Sequence, residues 1–175
     1  MENSLEFPRR RAQRLQGYDY TLAGAYYVTI CTQEHQRLFG QIVGNEMCLN
    51  DAGRMIERWW DELHHAFPSV ELDIAVVMPN HLHGIVVIYN ELENGECTAT
   101  HDGIVSLPDV MQWYKTMTTN EYIRCVKTAG WSPFAGKVWH RSYYDHIIRD
   151  EDDLLRIRTY ITNNPAQWAQ DTENR

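Results

Sequence analysis

Apolar residues recur along this chain in two periods, and the places where the period changes divide it into elements. Tyr26, Val28 and Ile30 alternate with Tyr27, Thr29 and Cys31, the period of two that marks a strand. Leu38 to Val43 and Glu46 to Leu49 flank Gly44-Asn45, a turn pair that signals a hairpin. Asn50 suits an N-cap, and Met55, Ile56, Trp59, Trp60 and Leu63 then fall at helical spacing until Pro68. Val70 to Met78 and His81 to Ile88 read as strands joined by the turn chemistry of Pro79-Asn80. Their apolar density predicts central positions covered on both faces. Residues 90–103 are polar and irregular and read as a loop. Leu107-Pro108 opens a second helix running to about Thr128, and 130–136 reads as a loop. Trp139 to Ile148 is short and aromatic and reads as a strand or an extended segment. Asp150 opens a last helix, with Glu151, Asp152 and Asp153 at its positive end, a stripe of Leu154, Ile157 and Ile161, and Pro165 at its close. That order, without internal repeats, implies an antiparallel sheet with helices packed on it, an α+β sandwich.

A length of 175 residues suits one domain, with an arm over about residues 1–17 and a core over about 18–168. Hydrophobic residues make up 43% and charged residues 23%, an ordinary globular balance. No apolar run reaches membrane-spanning length, and Met1-Glu2-Asn3-Ser4 is not a signal peptide. The expectation is a soluble, cytoplasmic protein without a membrane partner. Cys31, Cys48, Cys97 and Cys125 form no C-x-x-C pair, so reduced, mostly buried thiols are expected. The net charge of −8 argues against coating duplex DNA by charge alone but leaves room for local basic surface. Arg9-Arg10-Arg11 with Arg14 is one such patch, or else a solvated arm.

Against this background Asn80-His81-Leu82-His83-Gly84 stands out. Two imidazoles one residue apart on a strand point to the same face. Histidines can sit on a strand with ordinary hydrogen bonds. Set between apolar runs, however, this pair carries a desolvation cost that ligation or pairing would offset. His81 and His83 are therefore candidate metal ligands.

Tyr160 and Asn164 stand four apart and share a face of the last helix, with Ile157 and Ile161 near it. A phenol is a weak nucleophile at its usual pKa near 10, but a metal-polarised electrophile can make it a competent one. The amide oxygen of Asn164 can complete a coordination sphere beside two imidazoles. A core tyrosine and a helix cap would give the same pattern. Tyr114, Tyr122, Tyr143 and Tyr144 lack an amide four residues on with an apolar stripe between, and Tyr143 and Tyr144 must point to opposite faces of a strand.

Met78-Pro79-Asn80-His81-Leu82-His83-Gly84 and Tyr160-Ile161-Thr162-Asn163-Asn164-Pro165 together resemble the single-tyrosine transposases of the His-hydrophobic-His superfamily, and within it the REP-associated tyrosine transposases. Gly24 to Cys31 and Val138 to Asp150 extend the resemblance over about residues 17–168. It implies a ferredoxin-like fold, Mg²⁺ or Mn²⁺ held by His81, His83 and Asn164, and Tyr160 as nucleophile. Tyr160 would attack a phosphodiester of single-stranded or hairpin DNA, leaving a 5′-phosphotyrosine and a free 3′-OH. Relatives act as monomers or homodimers, so the helix carrying Tyr160 could serve its own chain or a partner.

Arg141, Arg149, Lys137, Lys115 and Lys127 are candidate phosphate contacts around that site, or else solvated surface paired with acids; Trp113, Trp131 and Trp139 could stack bases, though a tryptophan is more often core. Three other readings share these residues. A relative could bind DNA without cutting it. A metal phosphodiesterase could use activated water and need no tyrosine. A structural zinc module would need a closed ligand set, for which three candidates, one an amide, are poor.

Overall fold

The computed structural model describes residues 18–89, 92–93, 96–97 and 104–174. The basic cluster Arg9-Arg10-Arg11 with Arg14, the arm to residue 17, and most of 90–103 lie outside the described residues.

The strands and helices run β1 (Gly24–Cys31), β2 (Gly40–Val43), β3 (Glu46–Leu49), α1 (Asp51–Asp61), α2 (Leu63–Ala66), β4 (Val70–Met78) and β5 (His81–Ile88). They continue with β6 (Leu92–Glu93), β7 (Glu96–Cys97), α3 (Leu107–Thr128), β8 (Tyr144–Ile148) and α4 (Glu151–Asn163). The main sheet has the order β4-β5-β1-β8 with every pairing antiparallel. In chain order its strands are first, second, third and fourth as β1, β4, β5 and β8, with helices in the first and third connections. That is the split βαββαβ, or ferredoxin-like, arrangement. The α+β class read from the element order holds.

Local chemistry explains most boundaries. Gly44 and Asn45 take φ of 57° and 70°, the left-handed pair that a two-residue hairpin between β2 and β3 requires. Asn50 caps α1 by accepting from the Gly53 N–H at 2.9 Å. Ser106 and Asp109 close a capping box on α3, with Pro108 in the first turn. Asp150 caps α4. Arg158 of α4 bonds Asp73 of β4 at 2.6 Å, fixing that helix across the sheet.

The two sheet faces carry different layers. The even residues Tyr26, Val28 and Ile30 of β1 and Leu82 and Val86 of β5 join the larger core with α1 and α3. On the other face Tyr27 and Ile85 pack against Ile157 and Ile161 of α4, all four buried. His81 and His83 share the parity of Ile85, so they face α4.

Two expectations are corrected, the central position of β4 and the mostly buried cysteines. β4 is an edge strand, not a central one, although its apolar run is dense. Its register breaks between Leu72 and Ala75, and most of its residues are half-buried because helices cover it without a second strand alongside. Of the two readings open for Trp139 the core one holds: it is 4% exposed and its indole N–H donates to Thr118 Oγ1 at 2.8 Å. Trp113 and Trp131 pack half-buried against the same core. Among the cysteines with described side chains, Cys31 is buried, Cys48 exposed and Cys125 intermediate.

Gly84 explains its own place in the histidine motif. A Cβ there would lie 2.3 Å from Trp60 Cζ2, so the buried indole of α1 rests directly on the β5 backbone. Gly84→Ala is expected to destabilise the fold by about 1–3 kcal/mol, since a buried indole cannot retreat. Thermal unfolding would show this as a Tm lower by roughly 2–4 °C per kcal/mol. An unchanged Tm would mean that Trp60 repacks freely.

Candidate metal and tyrosine site

The site is assembled from the start of β5, the end of α4 and the tail beyond it. His81 is 0% and His83 2% exposed, and their Nε2 atoms face each other at 3.0 Å. Each outer nitrogen is held. Asn80 donates from Nδ2 to the carbonyls of Glu173 (2.7 Å) and His35 (3.3 Å), which leaves its Oδ1 as the acceptor 2.8 Å from His81 Nδ1. His81 Nδ1 therefore carries hydrogen, and its Nε2 bears a lone pair. Thr29 is the cross-strand partner of His83, and its Oγ1 lies 2.8 Å from His83 Nδ1. Thr29 gives its one hydroxyl hydrogen to Tyr27 Oη at 3.1 Å, so His83 Nδ1 must donate to Thr29. Its Nε2 is then also a lone-pair site.

Two lone pairs 3.0 Å apart repel unless an electrophile, a proton or a cation, lies between them.

A further candidate donor lies outside the residues expected from the sequence. Asp171 Oδ2 lies 3.5 Å from His81 Nε2, its side chain 1% exposed, and His81, His83 and Asp171 form a group that could hold a metal ion. Asp171 thus stands with the two histidines, as a candidate beside the expected Asn164. Asp171 follows the short 3₁₀ turn Pro165–Gln170, which brings the tail back over the site. Trp168 stacks on His81 with centroids 6.0 Å apart, and Arg37 lies over Trp168. Nothing periodic marks Asp171 in the sequence; its role comes from how the tail returns.

Tyr160 is half-buried, with its ring 5.3 Å from that of His83 and 6.4 Å, edge-on, from Tyr27. The predicted nucleophile and histidines are brought together within one chain. Burial, then the Asp171 charge, pushes the Tyr160 phenol up; hydrogen bonds from Asn164 and Tyr27 pull it down. Burial and the Tyr160 charge likewise hold the Tyr27 phenol well above its ordinary range. Asn164 is 1% exposed and its Oδ1, buried, has no hydrogen-bond partner among the described residues. A buried amide oxygen left unbonded is costly, and it fits the expected role as an oxygen ligand.

The expected phosphate contacts fall elsewhere. Lys115, Lys137 and Arg141 line one cleft of about 670 Å³ in the α3 layer, against Trp139 and Tyr143, rather than surrounding the histidines. Lys115 is committed there: its Nζ donates to the carbonyls of His140 (3.1 Å), Arg141 (3.4 Å) and Ser142 (3.4 Å). Lys137 and Arg141 are exposed, as are Arg149, just before α4, and Lys127, in the last turn of α3. No helix among the described residues is long and apolar enough to cross a membrane.

No family model matches the chain. It is 39% identical over 168 residues to an uncharacterized protein of Haemophilus influenzae (strain ATCC 51907 / DSM 11121 / KW20 / Rd), covering 93% of this chain and 91% of that one. A solved structure of a REP-associated tyrosine transposase bound to a REP hairpin superposes with a TM-score of 0.58 at 16% identity, covering 91% of this chain and 76% of that chain. The chain therefore belongs to one family with the Haemophilus influenzae protein, and it is transposase-like in its fold, that of the REP-associated tyrosine transposase.

Proposed function

We propose that this chain is a metal-dependent DNA strand transferase that cuts and rejoins single-stranded or hairpin DNA through Tyr160. The observation that carries the reading is the meeting of facing His81 and His83 Nε2 atoms, the unbonded Asn164 oxygen and the Tyr160 hydroxyl at one place. His81, His83, Asn164 and Asp171 would hold Mg²⁺ or Mn²⁺, which supplies charge neutralisation at the scissile phosphate.

The Tyr160 oxygen attacks phosphorus, a Tyr–O–P bond forms, and the P–O3′ bond breaks. The hydroxyl proton ends on the leaving oxygen as 3′-OH. Because the phosphodiester energy is kept in the phosphotyrosine, a later 3′-OH can rejoin the strand without another energy source. Asn164 would serve twice, its amide N–H bonding the phenol oxygen and its unbonded Oδ1 offered to the ion. Exposed Lys137 and Arg141 would hold phosphates on the other side of the sheet. Arg149 and Lys127 would add to that contact from α4 and α3. Tyr160 and His83 in one chain support action in cis, by a monomer or within each subunit of a homodimer.

Labelled single-stranded hairpins incubated with the protein and Mg²⁺ or Mn²⁺ should yield a covalent protein–DNA band that a chelator removes. Hairpin retention without a band would favour the second reading, a relative that binds DNA without cutting it. The raised Tyr160 phenol gives that reading its one specific support.

A further inference from the structure

The hydrogen-bond pattern on the α4 face of the sheet does more than hold the histidines. It has a direction. His83 Nδ1 donates to Thr29 Oγ1 (2.8 Å), Thr29 donates to Tyr27 Oη (3.1 Å), and Tyr27 bonds the Tyr160 hydroxyl. Each member has one hydrogen to give along the chain, and each link spends it. Tyr27 is 2% and Thr29 5% exposed, so water does not substitute readily for a lost link. The strand register explains why they meet: Thr29 is directly opposite His83, and Tyr27 is two residues along the same face.

We propose that Tyr27 and Thr29 are positioning residues that join the metal ligand to the nucleophile: Thr29 fixes His83 with its lone pair on Nε2, and Tyr27 aims the Tyr160 oxygen. This inference rests on the proposed roles of His83 and Tyr160. The same hydroxyl pair serves both partners of the reaction, so the ligand's tautomer and the attacking oxygen's direction are set together. Tyr27 also lies 2.8 Å from His83 Nδ1, which lets it accept a second share of that hydrogen. Neither residue needs to change protonation for this role, and neither touches the phosphate.

The test uses metal-free, DNA-free protein with labelled histidine and tyrosine, followed by metal and hairpin titrations. In the unaltered protein, nitrogen NMR should find hydrogen on His83 Nδ1. Thr29→Val should lose that preference and weaken Mn²⁺ binding by about ten- to a hundredfold. Tyr27→Phe should shift the Tyr160 Cζ resonance and slow single-turnover adduct formation by about tenfold with hairpin affinity unchanged. Thr29→Ser, which keeps the hydroxyl, should restore the Nδ1 hydrogen, and it carries the test if the valine variant does not fold. The proposal is overturned if the His83 tautomer survives Thr29→Val, if Thr29→Ser loses it, or if Tyr160 does not sense Tyr27→Phe. A slower rate that tracks only the hairpin affinity or the folded fraction would overturn it as well. The resonance readouts need neither metal nor DNA, so they stand apart from failure of strand cleavage itself.

Discussion

Tyr160→Phe is expected to abolish the covalent protein–DNA adduct while leaving the fold and hairpin binding in place. The ring is what packs: it lies 5.3 Å from His83 and edge-on to Tyr27, and phenylalanine keeps both contacts. What disappears is the oxygen proposed to form the bond to phosphorus. Adduct formation should therefore drop by at least about 10³-fold, as for other removed nucleophiles. The stability cost should be modest, about 1–3 kcal/mol, from leaving the Tyr27 hydroxyl and Asn164 amide without their acceptor. A denaturing gel with labelled hairpin reads the adduct, and a native gel reads retention. Strand cleavage that continues without an adduct would move the chemistry to an activated water. A persistent adduct would move it to another hydroxyl, with Tyr27 the nearest alternative on the same face.

How much of this was legible in the sequence depends on whether the cause was local. The bounds of α3 follow from a serine cap, a first-turn proline and an unbroken helical run, all contiguous, and they were read correctly. The hairpin at Gly44-Asn45 and the Asp150 cap of α4 are local in the same sense. That His81 and His83 share a face follows from the strand period alone. Position within a sheet is not local: the apolar runs of β4 and β5 look alike, yet one is an edge and the other central, because the order of strands depends on which partners return. Which reading holds for Trp139, core or base-stacking, is likewise not local: the pairing of Thr32 with Trp139 and the indole bond to Thr118 draw its segment onto the core. The partners of the histidines were hidden by register. Nothing in Tyr27 and Thr29 marks them until β1 lies antiparallel to β5 with Thr29 opposite His83. Asp171 was hidden by the turn after Pro165, where periodic reading stops and the chain doubles back.

Removing either histidine should cost divalent-ion binding at least about a hundredfold, more than losing a residue that merely supports a ligand. The two substitutions should differ in stability. In His81→Ala, Asn80 Oδ1 loses its donor inside a fully buried site, and Trp168 loses the ring it stacks on. An unsatisfied buried acceptor costs about 1–3 kcal/mol, and the tail that carries Asp171 should loosen with it. In His83→Ala, Thr29 and Tyr27 keep the bond they already make to each other, so less is stranded. Mn²⁺ titration by calorimetry should show both variants equally impaired, while urea unfolding should rank His81→Ala the less stable. The ranking matters because a structural zinc module would behave otherwise. There the metal holds the fold, and both variants would fall to the stability of the chelated protein. Here each imidazole is gripped by its own protein partners before any ion arrives, so chelation should leave the midpoint of the unaltered chain above that of His81→Ala.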